Sequence, residues 1–347
     1  MYKQSALLFL ILLILLSCSK KENTLLILNR TGYISEELIV KFQKENKCKI
    51  IYDTYNSDKD MPNKMAASKR SYDILVAGVD NVMLFNKKTY LEPIIPKKLR
   101  NYSNLDSFVL GKIELIDEVN EFTIPYFWGT HGLLYNKKYI PFRIWEQESW
   151  NILSNSFFTD KNKITLPDKP KEVIGAALIT AGYKPNDYSQ EALEAAEGIL
   201  SVWRSNVSQF DSEAYKSEIQ DGITWLALTN NRDAAQIMEN NPDLDYLLPG
   251  EGTYLWVDSM LIPKTAEHKE LAYKFIEFML DANNSKINAE YVQFATPNKA
   301  SRLLLSDDLI NNPILYPADD YLSKCFMLNR NEENALKIED LWQKIIK

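Results

Sequence analysis

The residues best suited to chemistry stand in the run Tyr254-Leu255-Trp256-Val257-Asp258-Ser259. Its alternation reads as a β-strand, in which residues two apart project from the same face. Trp256 and Asp258 would stand side by side, with Leu255 and Val257 directed into a core. An indole beside a fixed carboxylate suits an organic ammonium ion: the ring quadrupole attracts the cation and the carboxylate neutralises it. The same spacing also fits a packed ring next to a turn cap, so the pair needs support from elsewhere in the chain.

The elements that must hold this strand alternate in type. Short apolar strands are expected over residues 25–28, 50–52 and 74–76, with helices after Ser35 and over 61–69 and 81–87. Such alternation indicates a mainly parallel sheet covered on both faces. Residues 122–125 and 132–136 read as two strands where the chain leaves this unit. A second α/β unit starts at 164–166, with helices over 173–181, 191–204 and 213–220, and a short strand at Ile223-Thr224 ahead of Trp225. A strand over 255–262 and helices over 269–280 and 332–346 complete the chain. The expected fold class is α/β with two lobes, each a mainly parallel sheet flanked by helices, hinged about a cleft. Lobe 1 is drawn as 23–131 plus 259–296, and lobe 2 as 132–258 plus 297–347.

The first residues carry one charge, Lys3, followed by an apolar run over 6–16 and then Ser17-Cys18. That run is too short to span a bilayer and has the form of a signal peptide, 1–17. Leu15-Leu16-Ser17-Cys18 resembles a bacterial lipobox, so Cys18 is expected to carry lipid, with 18–22 as a polar tether. A periplasmic, membrane-anchored lipoprotein follows. Hydrophobic content of 46% supports two real cores, and a net charge of −7 argues against nucleic acid as a partner. Cys48 and Cys325 read as thiols, with a disulfide between them as the minority alternative. Enzyme motifs are missing: no G-x-S-x-G, H-E-x-x-H, Walker loop, G-x-G-x-x-G or C-x-x-C occurs. The two histidines, His131 and His268, give little scope for a metal site, although His131 sits at a crossing and can line the cleft. No cofactor and no metal are expected, and the chain is expected to be a monomer.

Several separate segments resemble the periplasmic spermidine/putrescine-binding proteins. They are residues 23–33, Tyr72-Asp73-Ile74-Leu75-Val76, Ile124-Pro125-Tyr126-Phe127-Trp128-Gly129, Trp256-Val257-Asp258-Ser259, Ala295-Thr296-Pro297-Asn298-Lys299-Ala300 and Leu315-Tyr316-Pro317. The resemblance is collinear from Asn23 to the C-terminus. It implies a type II two-lobe binding protein that gives a polyamine, putrescine or spermidine, to the permease subunits of an ABC importer. Carried over by position, it implies ligand-binding roles for Thr31, Tyr33, Glu172, Trp225, Trp256 and Asp258. Rings would cover the methylene groups and carboxylates would hold the ammonium ends.

The chain departs from that pattern at several positions. Arg30 stands where the family has a stacking Trp, and Asp80 near an aromatic position. Lys169, beside Asp168, falls where spermidine binders carry an Asp. Phe294 replaces a Tyr, and Leu228 and Leu328 occupy usually polar positions. A lone Arg about 5 Å from an ammonium would cost about 3 kcal/mol at an effective dielectric of 20, so it needs a partner. In a doubly wound sheet the first and third strands are neighbours, which predicts an Arg30–Asp80 ion pair. Asp80, Glu172 and Asp258 against Arg30 and Lys169 leave a single net negative charge. The rival expectation has Arg30 or Lys169 gripping a ligand carboxylate, which would make the ligand an amino-acid-like zwitterion. A ligand sensor that signals to a membrane receptor is the other alternative.

Overall fold

The structure is a computed structural model that describes residues 23–57, 60–82, 87–329 and 332–347. The signal peptide, Cys18 and most of the tether lie outside the described residues. The described residues form one ten-stranded sheet in which eight strands follow the order β2-β1-β3-β9-β4-β7-β5-β6, with β10 on β9 and β8 on β4. β1 (Thr24–Arg30) pairs in parallel with β2 (Lys49–Tyr55) and β3 (Ile74–Gly78). At the other end β5 (Ile164–Leu166) pairs in parallel with β6 (Val207–Phe210) and β7 (Leu226–Asn230). β8 is Leu244–Leu247, and β10 is Phe326–Met327. The outer strands are therefore parallel, as the alternating pattern predicts. Between them, β4 (Ile124–Asn136) and β9 (Tyr254–Leu261) run antiparallel to each other, β9 antiparallel to β3 and β4 to β7, while the short β10 joins β9 in parallel.

β4 departs from expectation. Two separate strands were expected here, over 122–125 and 132–136. One 13-residue strand forms instead, buried along its whole length. Its first part pairs with β9, and its second part, from His131 onward, with β7. At both glycines a side chain would collide with a neighbour, including Trp256 at Gly129 and the Leu247 carbonyl at Gly132. These residues are close-approach points rather than breaks.

The helices that matter for the site are α1 (Glu36–Asn46), α2 (Val79–Val82), α3 (Pro170–Thr180), α4 (Gln190–Asn206) and α5 (Asn231–Met238). After β9 come α6 (Lys269–Leu280), α7 (Ala282–Val292) and the terminal α8 (Glu332–Ile346). The bounds of α6 and α8 fall where the 3.6-residue periodicity puts them. The strand expected at Ile223-Thr224 begins instead at Leu226, after Trp225. β6, β8, α5 and α7 were not anticipated.

Two large cores flank the crossing strands. The first gathers Leu25, Leu38, Phe42, Ile74, Phe127, Phe275 and Phe294, and the second Leu133, Trp150, Ile174, Trp203, Leu226 and Trp342. Leu305, Leu309 and Leu315 pack in the first core, although 297–347 was drawn with the second lobe. That segment joins the second core only from Phe326 onward. A smaller cluster of Val79, Val109, Trp128, Leu255, Val257 and Cys325 fills the crossing itself. Cys48 and Cys325 are both free thiols.

Candidate functional site

β9 places Trp256 and Asp258 on one face and Leu255 and Val257 in the core on the other, as the alternation requires. Trp256 lies opposite Gly129, and Asp258 opposite both Gly78 and Phe127. A Cβ at residue 129 would sit 2.5 Å from Trp256 Cζ2 and 2.3 Å from Asn231 Oδ1. Only glycine lets the indole and this amide approach β4 together. Behind the indole, the Phe294 ring makes an edge contact at 4.9 Å, backed by Tyr33 at 5.3 Å and Phe127 at 5.5 Å. The indole itself is only part-buried. Asn231 starts α5, and its amide nitrogen donates to the Ile314 carbonyl at 3.0 Å, which aims the oxygen away from that carbonyl. Asn231 Oδ1 and Trp256 Nε1 are buried and have no protein hydrogen-bond partner among the described residues. Buried groups of that kind are uncommon in folded proteins, and a water or a ligand polar group can satisfy them.

Asp258 is buried and shared. Arg30 Nε lies 3.4 Å from its Oδ2, and the Tyr33 hydroxyl donates to the same carboxylate. Burial raises the Tyr33 phenol well above its ordinary value, and Asp258 adds to this while Arg30 opposes it. The Arg30 guanidinium also lies over the Tyr55 ring, 5.2 Å from its centroid.

Facing this group, α3 carries three charged residues around its first turn. Glu172 receives Lys169 Nζ at 3.3 Å and His131 Nε2 at 3.4 Å. Burial alone would raise its carboxyl, but Lys169, His131 and Lys171 outweigh burial and hold it well below the usual carboxylate range. The helix N-terminus favours the anion as well. His131 stacks on Tyr254 at 4.4 Å, so the crossing strand β4 and β9 jointly fix the ring that touches Glu172. Lys171 makes an ion pair and hydrogen bond with Asp80 of α2. α2 and α3 both pack against β9, so this pair bridges one core to the other beside Asp258. Arg232 adds a second bridge: its Nε donates to the Val292 carbonyl at 3.0 Å, and its guanidinium lies 4.7 Å from the Phe294 ring centroid.

The structure thus brings Trp256, Asp258, Glu172, Tyr33, Arg30, Asp80 and Phe294 around the crossing strands. Phe294 buttresses the indole from the core side. The expected Arg30–Asp80 pairing is replaced: Arg30 takes Asp258 and Asp80 takes Lys171, because the opposite wall supplies a cation that the first lobe alone does not. Thr31 is exposed, and its hydroxyl donates to Asn56 Oδ1 at 2.8 Å rather than turning to the carboxylates. Trp225 does not join the group. His131 pairs with Asn230 at one end of β7, whereas Trp225 precedes Leu226 at the other. There it stacks on Tyr139 at 5.2 Å, and its indole N–H donates to the Gly222 carbonyl. Leu228 and Leu328 are core residues of the second cluster. Lys171, Asn231, Arg232, Gly129 and Tyr254 were not anticipated. The one sequence signal for Lys171 was its place beside Glu172 in the first turn of a helix.

A family model for bacterial extracellular solute-binding proteins matches residues 37–317. The spermidine/putrescine-binding periplasmic protein of Salmonella typhimurium is 33% identical over 93% of this chain and 91% of its own. The putrescine-binding periplasmic protein SpuD of Pseudomonas aeruginosa is 30% identical over 86% of this chain and 84% of its own. Among solved structures, the substrate-binding protein PotD of a spermidine/putrescine ABC transporter from Streptococcus pneumoniae superposes with a TM-score of 0.85 at 29% identity. That match covers 94% of this chain and 99% of the other. The likeness runs through both cores and the strands that join them, and the chain belongs to the family of bacterial extracellular solute-binding proteins.

Proposed function

We propose that the protein captures a polyamine between its lobes and hands it to the permease subunits of an ABC importer. The observation that carries this reading is the part-buried Trp256 indole, set opposite Gly129 with Asp258 on the same face of its strand, and Glu172 held by His131 of the crossing strand β4. An alkyl diammonium ion suits that arrangement, since the ring covers methylene groups and each acid accepts a charged end. A micromolar complex needs about 8 kcal/mol net, so several such contacts must act together. Named relatives bind putrescine or spermidine, which supports the same class here. The protein binds without transforming its ligand, acts as a monomer, and is tethered outside the cytoplasmic membrane through lipid on Cys18.

A zwitterionic ligand is the second reading. It is favoured by one observation: with Lys171 counted, Arg30, Lys169 and Lys171 balance Asp80, Glu172 and Asp258. Titration calorimetry with putrescine, spermidine and basic or γ-amino acids separates the two. Binding heat from the amines, with the bound amine recovered unaltered, is the expected result. Tight amino-acid binding with no heat from either amine overturns the polyamine reading.

A further inference from the structure

We infer that Lys171 is a resident ammonium group that fills one carboxylate of the cleft and so makes the site select a diamine over a triamine. The inference rests on the polyamine reading and goes beyond it by naming the residue that sets the number of charges accepted.

Asp80 lies two residues beyond Gly78, which is paired directly with Asp258 in the neighbouring strand. Its carboxylate therefore belongs to the same wall as Asp258. Lys171 is adjacent in sequence to Glu172, and its ammonium reaches across to Asp80 Oδ2. Both partners are largely withdrawn from water, with side-chain exposures of 19% for Lys171 and 23% for Asp80. The pair is thus partly sheltered from water. Chemically, a primary ammonium on an alkyl stem occupying a cleft carboxylate is what the end of a polyamine would be. The protein carries that end itself.

Two consequences follow for a guest. First, the third ammonium of a triamine finds Asp80 already neutralised and meets the Lys171 charge as a like-charge neighbour. Secondly, the other two acids already have partners, Asp258 in Arg30 and Glu172 in Lys169 and His131. The cation on Glu172, Lys169, is half exposed, with a side-chain exposure of 49%, and can swing into water when a ligand amine arrives. Lys171 has no such exposure and stays. A resident lysine penalises each added ligand charge, so its effect appears in the ratio of triamine to diamine affinity.

The test uses the mature soluble chain with Lys171→Gln and Asp80→Asn, each titrated calorimetrically with putrescine and spermidine at fixed salt. Wild type is expected to bind putrescine more tightly than spermidine. Lys171→Gln vacates Asp80 and is expected to raise the spermidine-to-putrescine affinity ratio at least tenfold. Asp80→Asn keeps the Lys171 charge but removes its partner, and is expected to lower that ratio. An unchanged ratio in both variants, with amine binding intact, overturns the selectivity role while leaving the polyamine reading standing. Amino-acid binding without any amine binding, in wild type and in Lys171→Gln alike, overturns both.

Discussion

Gly129→Ala isolates the geometry of the ring site. The new methyl group would lie 2.5 Å from Trp256 Cζ2, 2.7 Å from Cε2 and 2.3 Å from Asn231 Oδ1. Ordinary carbon–carbon contact begins near 3.4 Å, so the indole must retreat by roughly 0.9 Å or the amide must turn away. Neither movement is free. Phe294 stands 4.9 Å behind the indole, and Asn231 is tied to the Ile314 carbonyl. Overpacking of this kind costs about 1–3 kcal/mol in stability, read as a drop of a few degrees in melting temperature. Ligand affinity should fall about tenfold, or ~1.4 kcal/mol, comparable to one desolvated cation–π contact. Calorimetry gives the affinity, and tryptophan fluorescence reports displacement of the ring. Wild-type affinity with an unshifted melting temperature would refute the idea that this glycine exists to admit the indole.

Two further substitutions test other parts of the site. Glu172→Gln should weaken amine binding at least tenfold, measured calorimetrically. Because the folded carboxyl lies below its unfolded value of about 4.3, its stabilisation is complete above that pH and is lost as pH falls toward the folded value. The melting-temperature gap between wild type and Glu172→Gln should therefore narrow below about pH 4, and a gap constant down to pH 3 would contradict the ion-pair cluster. Trp225→Leu should leave amine affinity within about twofold of wild type while costing about 1–3 kcal/mol in stability through lost stacking on Tyr139, checked by chemical denaturation. A large loss of affinity there would return Trp225 to the binding site.

How much of this was legible in the sequence depended on whether the determinant was local. Trp256 and Asp258 were found because a strand repeats every two residues, and that period does not depend on the partners. Glu172 was singled out only through the resemblance, because an acid at a helix start is equally explained by the helix dipole. The partners of Arg30 and Asp80 were not legible. Which cation reaches which acid is decided by the approach of α3, more than 90 residues away in sequence from Asp80. Trp225 was assigned through the resemblance alone, whereas β7 starts at Leu226 and reaches the crossing at Asn230, so the residue before it lies at the far end. The continuity of β4 was hidden for a different reason. Gly129 and Gly132 carry the signature of a break, and only the neighbours crowding them reveal that they are clearances.

That unbroken strand has a mechanical meaning. A hinge made of loops swings freely, but β4 is hydrogen-bonded to β9 along one half and to β7 and β8 along the other, with a bulge between Pro125 and Phe127. Lobe motion must then be taken up as torsion of a stiff ribbon. A ribbon tied to partners on both edges resists twisting more than a free loop does, so any such motion is confined to a narrow arc.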